Sequence, residues 1–403
     1  MTRRTAMLSE HDHRSLGERL DLFHLQEEAP GMAFWHPRGF ILYRLLEERA
    51  RRALAEGGYR EVRAPQVLGQ RIWESSGHWQ NFREGMFVLN DGERPFALKP
   101  VNCPGHIQIF HRMVPSFRAL PLRLAEFGLV HRNESSGALL GLFRLRQFTQ
   151  DDGHIFCMEE QVADEVLAFC RSLSAFYRDF GLGQVEVAFS SRPEQRAGSD
   201  EVWDRAEAVL LEAAQHAGLN CRMQPGQGAF YGPKLEWLLK DHSGREWQCG
   251  TIQLDFVLPE RFDIHYVDSG GAKRRPAMLH RAIFGSLERF LGLLLEHHQG
   301  SLPAWLAPEQ LRVLPVGQDA QAYASEVRGQ LAAAGLRVGE DVRGESLSKR
   351  ILDSHHDGVP FVILVGAREQ AGRAVQIRER SGAQRQVPLE SAVAELAQVC
   401  HRP

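Results

Sequence analysis

The spacing of apolar positions changes character several times along the 403-residue chain. From Phe40 to Glu56, Ile41, Leu42, Leu45, Leu46 and Ala50 recur at helical spacing with arginines and glutamates between them, which predicts an amphipathic helix. Gly57-Gly58 stops it, and Tyr59 to Val67, carrying Pro65, reads as extended. A long central section then alternates strand-like runs with loops. Pro121 to Glu134, Phe143 to Phe156 and Trp247 to Val257 are predicted as strands, and Glu159 to Phe180, Ser199 to Ala217 and the strongly apolar Ile283 to His297 as helices.

The pattern breaks at Ser301 to Pro308 (SLPAWLAP), which has two prolines and no period and reads as a linker. Beyond it strands and helices alternate: Leu311 to Pro315, Ala320 to Ala334, Arg337 to Asp341, Leu347 to Asp353, Phe361 to Val365, Ala374 to Arg378, and a last helix from Leu389. That tail of about a hundred residues is the size of a separate small α/β domain. The predicted division is 1–306 and 307–403.

Composition narrows the class. Hydrophobic residues at 43% and charged residues at 25% fit a soluble globular protein, and the length suits two or three domains. A net charge of −3 neither announces nor excludes a nucleic-acid partner, because a local basic surface is enough. Six scattered cysteines argue for a reducing compartment rather than a disulfide framework. No apolar run approaches the roughly 20 residues that a membrane helix needs, and the start carries no apolar signal core. The expected location is the cytoplasm, with no membrane partner.

Candidate chemistry gathers in the central section. If Phe143 to Phe156 is one regular strand, Arg144, Arg146, Phe148, Gln150, Asp152 and His154 share a face. Two cations, a ring, an amide, a carboxylate and an imidazole make a poor core but a good lining for a pocket that holds phosphates and a base. A solvated edge strand is the plainer alternative. Arg132 and Glu134 could fork onto a phosphate and accept from an amine, although an R-x-E pair is more commonly a surface salt bridge. Cys103, His154 and His280 are types that bind zinc, but their spacing is no motif, and lone buried Cys and His are usually packing residues. There is no P-loop, no dinucleotide fingerprint, no nucleophile elbow and no H-E-x-x-H helix.

Six blocks in order resemble the signatures of threonyl-tRNA synthetases: KPVNCPGH, LPLRLAEFGLVHRNE, RLRQFTQDDGHIF, AFYGPKLE, EWQCGTIQLDF and MLHRAIFGSLERF. The resemblance runs from about Asp12 to the end of the chain. It implies the class II synthetase fold, an α/β (α+β) architecture in which an antiparallel sheet is flanked by helices, followed by an α/β anticodon-binding domain. Motif 1 would be the segment ending GYREVRAPQ, motif 2 the hairpin from Pro121 to Asp152, and motif 3 a helix beginning near His280 and carrying Arg289. A homodimer built around motif 1 is implied as well.

Carried over position by position, the resemblance implies that Arg132 holds the α-phosphate of ATP and the amino-acid carboxylate. Glu134 would read the adenine amino group and Phe148 would stack on the ring, while Arg144 and Arg289 hold the outer phosphates and Mg²⁺ accompanies the ATP. Cys103, His154 and His280 would be the ligands of one Zn²⁺ per subunit. Gln150, Asp152, Tyr231 and Gln253 would line the L-threonine site, with Lys234, Gln248 and Thr251 nearby. Glu369 and Arg378 match anticodon-reading positions for tRNA(Thr).

The sequence also departs from the family. Bacterial members usually begin with two further domains, one of which hydrolyses seryl-tRNA, and nothing before Asp12 matches either. The expectation is therefore a ligase without its own editing domain, served by a separate trans-editing protein or by a full-length synthetase. Gln147 stands where a glycine is usual, Gly344 where an asparagine is expected, and ILDSHHDG (Ile351 to Gly358) is less basic than expected. Two other readings stay open: a threonine-activating ligase that serves a non-tRNA acceptor, and a non-catalytic RNA-binding or regulatory relative.

Overall fold

The computed structural model describes residues 8–113, 115–183 and 185–401. Contacts divide these into two compact units, one of residues 25–33 and 46–293, the other of residues 8–24, 34–45 and 294–401.

The first unit is built on an eight-stranded sheet. Its order is Cys221–Gln224, Glu186–Ser190, Lys234–Lys240, Glu246–Asp255, Ala277–Ala282, Gln147–Cys157, Leu122–His131 and Arg60–Glu61. The six central strands pair antiparallel. At each edge the last strand pairs parallel, so the sheet is mixed at its margins. Helices Val162–Asp179 and Asp200–His216 belong to the same unit. The second begins where predicted, because the Ser199 hydroxyl accepts from the Val202 N–H and caps it. A smaller three-stranded sheet (Val67–Gly69, Pro95–Leu98, Val88–Asn90) covers its own core around Trp73.

Three differences from the sequence reading bear on the site, two of them boundaries and one a new element. The strand predicted from Phe143 begins at Gln147. Before it, Leu140 and Arg144 close a bridge, Gly141 takes φ +49°, and the Arg146 N–H donates to the Gly31 carbonyl at 2.7 Å. That turn uses the backbone groups that a strand would need, so Arg144 and Arg146 leave the face of Phe148, Gln150, Asp152 and His154. His280 lies on the strand Ala277–Ala282, and the following helix starts only at Leu287. Finally, Cys103–Met113 is a helix that the periodicity did not predict, with Cys103, Ile107 and Phe110 buried against Leu122, Leu124, Phe156 and Met278.

The second unit carries a five-stranded sheet in the order Val338–Glu340, Leu311–Pro315, Phe361–Val365, Ala374–Glu379, Gln384–Pro388. Its first three strands are parallel and its last two antiparallel. Helices Gln321–Ala333 and Leu389–Val399 pack Val327, Leu331, Leu389 and Leu396 onto the buried Leu311, Val313, Ile363 and Ile377. No helix among the described residues is long and apolar enough to cross a membrane.

Candidate active site and metal centre

Period-two alternation places Phe148, Gln150, Asp152 and His154 on one face of the strand Gln147–Cys157. Neighbouring strands bring Thr251, Gln253 and His280 beside them, because Gln253 pairs with His280 and His280 with His154. Together with Cys103, Arg132, Tyr231, Lys234, Gln248 and Arg289 these residues line one cavity of about 280 Å³. Thirteen residues singled out in the sequence thus meet in one place. Glu134 and Arg144 do not line it, yet their charges act on Arg289 together with that of Arg132.

The cations are held firmly. The Arg132 Nε donates to the Pro100 carbonyl at 3.1 Å, and its guanidinium lies 5.2 Å from the Phe148 ring centre. Arg289 donates from Nε to the Phe143 carbonyl and from Nη1 to the Gln248 carbonyl, both at 2.9 Å. Burial lowers both arginines from their ordinary range. Cations kept from water without full counter-charges suit an anionic ligand that supplies them.

The acceptors sit deeper in the cavity. Asp152 takes a hydrogen bond from the Asn102 amide at 2.9 Å, and burial raises its carboxyl. The Tyr231 hydroxyl donates to Gln253 Oε1 at 2.8 Å, while the Gln248 amide donates to the Thr251 hydroxyl. Lys234 pairs with Glu236 at 2.8 Å. The Gln150 Oε1 is buried with no partner among the described residues, which suits a ligand that brings an N–H or O–H donor.

Cys103, His154 and His280 offer one sulfur and two nitrogens, all within 4.8 Å of one another and all buried. His154 Nε2 and His280 Nδ1 face each other at 3.1 Å. Zinc held tetrahedrally at roughly 2.0–2.1 Å from two nitrogens keeps them about 3.3 Å apart, so the pair fits such an ion. Burial raises the Cys103 thiol and lowers His154, so without a cation these two donors stay neutral, and a dication favours the thiolate. A second buried grouping, Asp12, His13 and Glu296, is of a different kind. There Glu296 accepts from the backbone and ring of His13, and Asp12 holds Arg14.

In the other unit Glu369 occupies the first turn of helix Ala367–Ala371, where its carboxylate accepts from the Gly366 N–H at 2.9 Å. Arg378 pairs across from Val362, whereas Glu369 follows the Val365 end of that same strand. The two therefore lie at opposite ends of the strand Phe361–Val365.

Four polar neighbours went unpredicted. Asn102 holds Asp152, Asp255 accepts from His280 at 2.9 Å, and His106 with Glu126 stands behind His154. Only His106 had a readable signal: Cys103 and His106 are three apart, which on a helix is one face.

Two arginines and a ring gathered over a mixed, mostly antiparallel sheet are the arrangement of a class II aminoacyl-tRNA synthetase core, and residues 86–298 match the family described as tRNA synthetase class II core domain (G, H, P, S and T). Residues 310–399 match the anticodon binding domain family. Among relatives, the threonine–tRNA ligase of Burkholderia multivorans is 51% identical over 386 residues, 96% of this chain and 61% of that protein. The corresponding ligase of Nitrosomonas eutropha is 51% identical over 94% of this chain and 60% of that protein. The RNA binding domain of threonyl-tRNA synthetase from Cryptosporidium parvum superposes with a TM-score of 0.93 at 39% identity, covering 97% of this chain and 99% of that one. The chain belongs to the threonyl-tRNA synthetase family. It spans about 61% of the length of the curated Burkholderia relative it matches.

Proposed function

We propose that this chain activates L-threonine with ATP and transfers the threonyl group to tRNA(Thr). The observation that carries the reading is the convergence, in one cavity, of Arg132, Arg289 and Phe148 with Asp152 and the Cys103–His154–His280 triad. Residues 1–306 are the catalytic part and residues 307–403 the anticodon-binding part.

The threonine carboxylate attacks the α-phosphorus of ATP, giving threonyl-adenylate and pyrophosphate. Arg132 binds the α-phosphate and the carboxylate, so it orients both reactants and takes up charge as the new bond forms. Phe148 stacks on the adenine and Glu134 accepts from its amino group. Arg144 and Arg289, with Mg²⁺ brought by the ATP, hold the outer phosphates, and Gln248 and Thr251 close the nucleotide side. A terminal ribose hydroxyl of the tRNA then takes the acyl group and releases AMP.

Cys103, His154 and His280 would hold one Zn²⁺ per subunit, which would supply a Lewis acid for recognising the amino group and hydroxyl of threonine. Asp152 accepts from the threonine hydroxyl, and Gln150, with its unpartnered oxygen, accepts from an N–H of the neutral threonine amino group. Tyr231, Gln253 and Lys234 complete the wall. Valine leaves these groups unpaired and is rejected by roughly 10⁴ or more, whereas serine lacks only a methyl, about 1–3 kcal/mol. Translation needs more than that, so a hydrolytic activity on seryl-tRNA, in this protein or in a separate one, belongs to the reading.

A second copy of the chain docks along the apolar groove beside Pro65, lined by Ala64, Leu68, Ile72, Ile109 and Met113 and about 470 Å³ in volume. The homodimer works in the cytoplasm, where unpaired thiols such as its six are stable.

The test is threonine-dependent pyrophosphate exchange and charging of tRNA(Thr) with labelled threonine, serine and valine, with zinc measured on the purified protein. Exchange and charging with threonine, weaker charging with serine and none with valine are expected. Exchange without charging would point to a non-tRNA acceptor, and zinc-replete protein without exchange would overturn the catalytic reading.

A further inference from the structure

Behind His154 runs a buried polar chain that ends away from the cavity. His154 Nδ1 meets His106 Nδ1 at 2.8 Å, and His106 Nε2 meets Glu126 Oε2 at 3.2 Å. Glu126 Oε1 accepts from the Lys99 ammonium at 2.7 Å, and its Oε2 also accepts from the Ala64 N–H at 3.3 Å. His106, Lys99 and Glu126 are all within 3% of full burial.

The direction of each hydrogen bond follows from the ends. A carboxylate held by Lys99 only accepts, so His106 must donate from Nε2. A neutral imidazole that donates from Nε2 accepts at Nδ1. His154 therefore donates from Nδ1, and its Nε2 keeps the lone pair that points at Cys103 and His280. On the opposite side His280 donates from Nε2 to Asp255 at 2.9 Å, which frees Nδ1. The other oxygen of Asp255 accepts from the Val257 and Leu258 N–H groups at 2.7 and 2.9 Å, which fixes the carboxylate in this orientation. Both imidazoles are thus set in the tautomer that leaves a lone pair at the triad.

We propose that His106, held by Glu126 and Lys99, is a positioning residue for metal binding: it fixes the tautomer of His154 and so sets the affinity of the Cys103–His154–His280 centre for Zn²⁺. The inference rests on the zinc reading above. Partners in this outer position typically contribute about 10–100-fold in metal affinity.

The test measures zinc affinity of the full chain by competition with a chromophoric chelator, alongside far-UV circular dichroism. His106→Leu, which fills the space without a polar atom, should weaken binding by roughly 10–100-fold. In His106→Gln the side-chain amide can donate to Glu126 and its oxygen accept from His154, so affinity should return to within about threefold of wild type. Glu126→Gln should weaken binding as well, because Lys99 draws the amide oxygen and turns the NH₂ toward His106, which reverses the relay. Leu and Gln variants that bind equally well, or Gln as weak as Leu, would overturn the proposal, and if the Leu variant does not fold the Gln and Glu126→Gln pair decides alone. Wild-type protein that binds no stoichiometric zinc would instead overturn the zinc reading itself.

Discussion

At Gly128 a single methyl group would disturb the proposed amino-acid site. The glycine lies opposite Gln150 in the strand pair, and a Cβ there would fall 2.2 Å from the Asn102 Oδ1 and 2.4 Å from its Nδ2. Asn102 is buried and donates to Asp152, so Gly128→Ala must push that donor off the carboxylate proposed to hold the threonine hydroxyl. A hydrogen bond to a charged group contributes about 1.5–3 kcal/mol, which sets the expected rise in KM for threonine at roughly tenfold or more. KM for ATP should hardly change, because Arg132 and Phe148 lie outside the disturbed contact. Steady-state pyrophosphate exchange with each substrate varied in turn checks this. Equal rises for both substrates would mean a general collapse of the cavity, and no rise would remove Asn102 from the account. Asp152→Asn belongs to the same scale: an amide at that position can still meet a hydroxyl, so discrimination against valine should fall while zinc content stays at one per chain.

At the scale of elements, the strand Gln147–Cys157 and the helix Leu287–His297 are locked by two carboxylates. Glu288 accepts the Thr149 N–H on both oxygens, at 3.1 and 3.0 Å, and Asp151 accepts from the N–H groups of Ile283, Phe284 and Gly285 at 2.6, 3.2 and 3.1 Å. Burial pushes the Glu288 carboxyl up to about 7 from 4.5, against the Thr149 and Ser286 hydrogen bonds. The native state then binds this proton more tightly than the unfolded chain does. The corresponding stability is complete below pH 4.5 and is lost as pH rises to about 7. Each pKa unit corresponds to about 1.4 kcal/mol, so wild type should lose up to about 3 kcal/mol relative to Glu288→Gln across that window. Urea melts of both proteins at several pH values would show it, and parallel stability curves would refute it. Neither lock was legible in the sequence, because which carboxylate reaches which backbone group depends on the turn at 283–286. The alternating face of Phe148, Gln150, Asp152 and His154 was legible, since it follows from strand period alone. Arg144 and Arg146 were misplaced because Gly141 and the Gly31 carbonyl end the strand early, a contact that no local pattern encodes. The helix Cys103–Met113 stayed hidden for a local reason: Pro104 and Gly105 stand in its first turn, where proline is tolerated but reads as a break.

For the whole molecule, the proposed reaction divides between the two units, and the division predicts which measurements move together. Activation needs only the cavity in the first unit, whereas transfer needs a tRNA engaged by both. Of the two anticodon-reading candidates, Glu369 also caps its own helix through Gly366, so Glu369→Ala carries a local stability cost of roughly 1 kcal/mol as well as any loss of contact. Arg378 offers the cleaner test. Its Nε has no hydrogen-bond partner among the described residues, so replacing it breaks no internal hydrogen bond at that atom. Arg378→Ala should raise KM for tRNA(Thr) by roughly tenfold or more, the weight of a lost hydrogen bond to a charged group, while threonine-dependent pyrophosphate exchange stays at the wild-type rate. If Arg378 neutralises a phosphate, the mutant's charging rate should also fall less steeply with added salt, because one phosphate contact fewer releases fewer counterions, whereas a base contact would leave the slope unchanged. If exchange falls along with charging, the residue supports the catalytic unit rather than the tRNA. If neither changes, the RNA is held elsewhere on the unit, and the pairing of Arg378 with Glu369 as anticodon readers fails.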